Sequence, residues 1–120
     1  MIFDERLGIL RSGNVISAEV EDRVRRVISR LEERWQLSLT EENGGRIVTH
    51  LAMALTRIEQ NEEINAPEKD LLEEFRDLDV FPESLEIVED LITHTPMILP
   101  DAEKHYMIIN ICLLLDDKEQ

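Results

Sequence analysis

Gly44-Gly45-Arg46-Ile47-Val48-Thr49-His50-Leu51-Ala52-Met53-Ala54-Leu55-Thr56-Arg57-Ile58 sets apolar side chains at helical spacing, with a titratable ring at the edge of the stripe. At about 100° per residue, Ile47, Leu51, Ala54, Leu55 and Ile58 fall on one side, while Arg46, His50 and Arg57 run along its flank. The period predicts an amphipathic helix. The flank lets an imidazole reach solvent and meet an anion.

Working outward, Thr40 is a natural cap for this helix, with Glu41 and Glu42 where the positive end of the helix dipole favours acids, and the helix runs to about Gln60. Gly44 and Gly45 near its start each cost about 1 kcal/mol relative to alanine in a helix interior. They need a reason, either the close approach of another helix or a frayed first turn. Upstream, Val20, Val24, Val27, Ile28, Leu31 and Trp35 recur at helical spacing after the cap Ser17, predicting a helix over 18–36 with Arg23, Arg26, Arg30, Glu32 and Glu33 on the other face. The segment from Phe3 to Leu10 reads as a short helix or a docking arm.

Downstream, Pro67 suits the first turn of a shorter helix through Leu71, Leu72 and Phe75, and Pro82 opens a fourth with Leu85, Val88, Leu91 and Ile92 inward. Leu99-Pro100-Asp101 starts a fifth that is apolar nearly all round from Tyr106 to Leu115. Such a helix is either central in a bundle or shared with a second chain. No alternating strand pattern appears, so the fold class is all-α, read as one domain over residues 1–120.

The chain has 120 residues and a formal net charge of −14. That field repels nucleic-acid phosphates, so direct DNA or RNA binding is not expected. The single cysteine, Cys112, leaves no disulfide framework and no thiol pair for zinc. The apolar run around it falls well short of the ~20 residues that cross a bilayer. The acidic N-terminus does not read as a signal peptide. A cytoplasmic, untargeted protein without membrane contact is expected.

No glycine-rich phosphate loop, nucleophile motif or metal-ligand spacing is present, so neither an enzyme, a metal nor a cofactor is expected. His50, His94 and His105 fall on different helices. His50 reads either as a hydrogen-bonded structural histidine or as an anion-linked one. Arg57 lies about 10.5 Å further along the axis but only about 20° away in azimuth, and Arg46 is one turn back, so both can lean toward an anion on the ring.

At these residues the chain resembles the PTS regulation domain (PRD) family of bacterial regulators that depend on the sugar phosphotransferase system. The resemblance rests on Thr49-His50-Leu51-Ala52-Met53-Ala54-Leu55-Thr56-Arg57-Ile58. It extends to Arg6-Leu7-Gly8-Ile9-Leu10, to Leu39-Thr40-Glu41-Glu42-Asn43-Gly44 and to Leu99-Pro100-Asp101-Ala102-Glu103. It implies a dimeric five-helix bundle in which His50 accepts a phosphoryl group, with Arg57 at the family's arginine position. Its implied partners are phosphocarrier or sugar-permease proteins of the phosphotransferase system.

Two departures narrow that expectation. Aligning the Leu99-Pro100 start places the family's second histidine at Asn110, which cannot accept a phosphoryl group by the same chemistry. Asn110 reads instead as a hydrogen-bonded amide in a bundle seam, fixing register. The residue ahead of the first histidine, often Asp in the family, is Thr49, a weaker orienting group for the ring. The expected function is a phosphorylation-responsive regulator of carbohydrate-gene transcription or antitermination, acting through protein association. The alternative is a dimerising module that pairs with a larger PRD-containing regulator without being phosphorylated. A two-component histidine phosphotransfer protein fits less well, because Leu51, Ala52, Met53 and Ala54 make the ring's neighbourhood apolar.

Overall fold

Ser17 and Thr40 each hold an extended backbone, and each accepts a backbone N–H three residues on: Val20 N to Ser17 Oγ at 3.2 Å, and Asn43 N to Thr40 Oγ1 at 3.2 Å. The two predicted caps are therefore caps in fact. At the second, Asn43 Oδ1 also accepts the Thr40 N–H at 2.7 Å, which completes a capping box. The computed structural model describes residues 2–62, 69–95 and 98–119. Its described residues form six α-helices and no strand: α1 Asp4–Ser12, α2 Ala18–Glu33, α3 Glu41–Glu59, α4 Lys69–Arg76, α5 Phe81–His94 and α6 Asp101–Glu119. The expected count of five is exceeded because the segment after Phe3 is a helix in its own right.

The chain divides into two compact units, α1 to α3 and α4 to α6. In the first, α2 packs along α3 and α1 packs on α2. Val20, Val24, Val27, Ile28 and Leu31 of α2 are buried, as are Ile47, Leu51, Ala54 and Leu55 of α3. Val48 and Ala52 widen the α3 stripe, and Ile58 is only partly covered. Phe3 and Leu7 bring α1 into this core, both with no exposed surface. The helix predicted to reach residue 36 stops at Glu33, because Gln36 takes a left-handed backbone with φ 55°.

Asparagines close α1 and α3. Asn14 and Asn61 both have φ 58°, a conformation their short polar side chains tolerate. In each case the next N–H reaches back five residues, Val15 to Leu10 O at 2.9 Å and Glu62 to Arg57 O at 2.8 Å, which is the Schellman closure. Ser17 joins the two ends of the α2–α3 pair, since its hydroxyl donates to Glu59 Oε2 at 2.7 Å while capping α2.

In the second unit, α6 packs on α4 and α5. Pro82 lies in the first turn of α5, as expected, while Pro67 lies outside the described residues. The inward face of α5 differs from the sequence reading. Phe81, Ser84, Ile87, Val88 and Leu91 are buried and Leu85 is exposed. Phe81 anchors the stripe, and the steps to 84, 88 and 91 turn Leu85 outward. Ser84 tolerates burial because its hydroxyl donates to Val80 O at 2.9 Å.

Met107, Ile108, Ile109, Ile111, Cys112, Leu114 and Leu115 of α6 are all buried within the single chain, so its apolar excess does not by itself require a second copy. Burial pushes the Cys112 thiol above its ordinary range, against a smaller opposing effect of a hydrogen bond with Ser84.

Candidate functional site

His50 and Arg46 are exposed one turn apart, and no hydrogen bond or ion pair joins either to another described residue. Arg57 is half-buried two turns on and already interacts within the fold. The sequence reading thus places the three on one flank, and the structure leaves the imidazole open to solvent.

Thr49, one position before the ring, does not orient it. Its hydroxyl accepts a hydrogen bond from Arg6 Nη1 of α1 at 2.9 Å. The other arm of that guanidinium, Nη2, pairs with Glu41 Oε2 at 2.5 Å. Glu41, Gly45 and Thr49 are successive i, i+4 positions, so they stack in a single line, and the guanidinium lies along it. Gly45 makes the room: a Cβ there would stand 3.2 Å from Arg6 Nη2. Gly44 does the same for Phe3, whose ring Cζ would lie 2.9 Å from a Cβ at residue 44. The two glycines therefore have the reason that the sequence demanded, close approach of another element, and that element is the N-terminal segment.

Arg6 is the functional candidate that sequence reasoning missed. It lies 43 positions from its acceptor. The signal was indirect, a missing side chain at Gly45 in the middle of an otherwise polar line. The Nε of Arg6 is buried without a hydrogen-bond partner among the described residues. A groove of about 580 Å³ opens beside it, walled by Ile2, Ile9 and Leu10 with Glu5, Glu41 and Thr49 at its polar side.

A separate ion network fastens α1 to α2. Arg25 bridges Asp4 Oδ1 at 2.5 Å and Glu21 Oε2 at 3.0 Å, and Arg11 Nη1 meets Glu21 Oε1 at 2.8 Å. The hydrogen bond from Arg25 holds the Asp4 carboxyl below its ordinary range, and the same bond raises Arg25.

The other candidates stand apart. Asn110 is a hydrogen-bonded amide, donating from Nδ2 to Tyr106 O of its own helix at 3.0 Å. His94 lies exposed at the end of α5, 3.5 Å from Asp90 Oδ1. His105 is half-buried on α6. Among the described residues, no group of three or more His, Cys, Asp or Glu side chains is placed to hold a metal ion, and no helix is long and apolar enough to cross a membrane.

The family model of the PRD domain matches residues 25–112 of this chain. The chain belongs to the PRD family. PRD domains are regulatory rather than enzymatic, and in general they interact with proteins of the phosphotransferase system and with regulators. An uncharacterized protein of Haemophilus influenzae is 30% identical over 105 residues, covering 88% of this chain and 84% of its own length. The uncharacterized protein YhfY of Escherichia coli K12 is 25% identical over 108 residues, covering 90% of each chain. No solved structure matches significantly. The matched residues include His50, Arg46, Arg57 and Asn110 and begin after α1, so Arg6 stands outside them.

Proposed function

We propose that this PRD domain is a cytoplasmic regulator that is reversibly phosphorylated on His50 by phosphocarrier or sugar-permease proteins of the phosphotransferase system. It passes that state on by association, as a homodimer or with a larger PRD-containing regulator, to control transcription or antitermination of carbohydrate genes. The observation that carries the reading is the exposure of His50 on α3 with Arg46 exposed one turn away; the resemblance in sequence gives His50 the place of the family's acceptor. Asn110 leaves His50 as the only family-matched acceptor.

A lone pair on a neutral ring nitrogen attacks the phosphorus of the phosphorylated donor. The new N–P bond forms as the donor's bond to phosphorus breaks, that electron pair returns to the donor, and the donor takes up the proton that the other ring nitrogen of His50 gives up. The product adds about −1.5 to −2 charges. On a chain of net charge −14 this is unfavourable in general. Nine of the ten arginines, however, lie in the unit that carries His50, and Arg46 and Arg57 flank the ring.

Incubating the purified protein with the general phosphotransferase proteins and phosphoenolpyruvate, then measuring intact mass, tests the reading. One added phosphoryl group that His50→Ala abolishes is expected. No mass gain would sink the proposal in favour of the unphosphorylated pairing module.

A further inference from the structure

The guanidinium of Arg6 rests on Thr49, the residue before His50, and pairs with Glu41. We infer that Arg6 reads the phosphorylation of His50, exchanging its contact with Glu41 for the phosphoryl oxygens and so coupling helix α1 to the state of the site. The inference rests on the proposed modification of His50 and adds to it a residue outside the family-matched segment.

Geometry supplies the first argument. Seen down α3, Thr49 lies about 100° from His50 on the same side as Arg46 at about 40° and Arg57 at about 20°. A guanidinium resting on Thr49 therefore lies on the same side of His50, in helical azimuth, as Arg46 and Arg57. Rotating about the Thr49 contact carries Nη2 from the Glu41 line to the adjoining Arg46–His50 line, without moving the helix backbone.

Energetics supply the second. The Arg6–Glu41 pair is solvent-exposed, with 37% and 46% of the two side chains accessible, so it is a weak tether. Arg6 also leaves its Nε buried without a hydrogen-bond partner among the described residues, so the resting position is not fully satisfied. A phosphoryl group with nearly two charges and three acceptor oxygens offers the fork a stronger, bidentate partner. Phe3 and Leu7, both fully buried, tie Arg6 to the rest of α1, so what happens at the guanidinium is transmitted to that helix.

The test bypasses the natural donor: His50 is phosphorylated chemically with potassium phosphoramidate in a His94→Gln/His105→Gln background, and the label is located by tandem mass spectrometry. Amide exchange across residues 4–12 is then compared with and without the label. In the parent chain exchange slows about tenfold, the effect of one charge-assisted hydrogen bond. Arg6→Gln abolishes this slowing. Glu41→Gln loosens α1 in the unlabelled chain, because it loses the ion pair, yet enlarges the slowing on labelling, because the competitor is gone. A purely structural Arg6 predicts that both variants loosen α1 and that the label changes exchange in neither. That result would overturn the inference, as would no change in the parent chain or a His50 that does not label. Failure of the enzymatic mass gain alone, with the chemical label still slowing α1, would count against the phosphotransferase reading and not against Arg6.

Discussion

The ring of Phe3 occupies the space in which residue 44 would carry a side chain: a Cβ at Gly44 would stand 2.9 Å from Phe3 Cζ and 3.4 Å from Leu39 Cβ. Both neighbours are buried, so neither can yield freely.

Gly44→Ala is therefore expected to destabilise the protein, because an overpacking cost of about 1–3 kcal/mol exceeds the ~1 kcal/mol that alanine returns in helix propensity. Gly8→Ala, in the middle of α1, meets nothing within 4 Å and should stabilise by about 0.5–1 kcal/mol. Urea midpoints at unchanged slope check both signs. Two alanines that move the midpoint in the same direction would contradict the Phe3 packing.

Acid should loosen α1 before the rest of its unit. Asp4 has a depressed folded-state pKa, so its contribution is present above the unfolded carboxylate value of about 3.9 and is lost as pH falls through the lower folded value. The expected outcome is weaker protection of the amides of residues 4–12, measured against their intrinsic exchange rates at each pH, below about pH 4. Asp4→Asn should remove this pH dependence, and an unchanged profile in that variant would show that Arg25 acts through another group.

Cys112 should resist thiol reagents while the chain is folded. Its thiol is fully buried and its pKa is raised by burial, so the reactive thiolate is scarce near neutral pH and inaccessible when formed. Its contribution to stability is complete below the unfolded thiol value of about 8.5 and declines as pH rises above it. Alkylation followed by mass spectrometry in native buffer and in denaturant should differ strongly in rate; equal rates would mean that α6 opens readily.

The α3 stripe, both N-caps and the α2 face were legible in the sequence because each depends on residues within two or three turns of one another. Leu85 was misplaced because the α5 pattern admits two neighbouring stripes, and only the burial of Phe81 and the hydroxyl bond of Ser84 choose between them. The flank of His50 was legible for the same local reason. Arg6 was not, since its contact with Thr49 spans 43 positions and depends on how α1 is laid on α3. The left-handed asparagines at 14 and 61 were equally hidden, as nothing in the local pattern distinguishes them from ordinary loop residues.

The capping box at Thr40 also bears on how the chain ages. Asn43-Gly44 is the kind of dipeptide most prone to deamidation, in which the glycine nitrogen attacks the asparagine side-chain carbonyl to form a cyclic imide. Here that nitrogen donates to Thr40 O at 2.7 Å, while the asparagine amide is held by Thr40 N and by Ser38 O. The nucleophile and its target are each committed elsewhere, so the same bonds that begin α3 shield it from slow chemical damage for as long as the helix start stays closed.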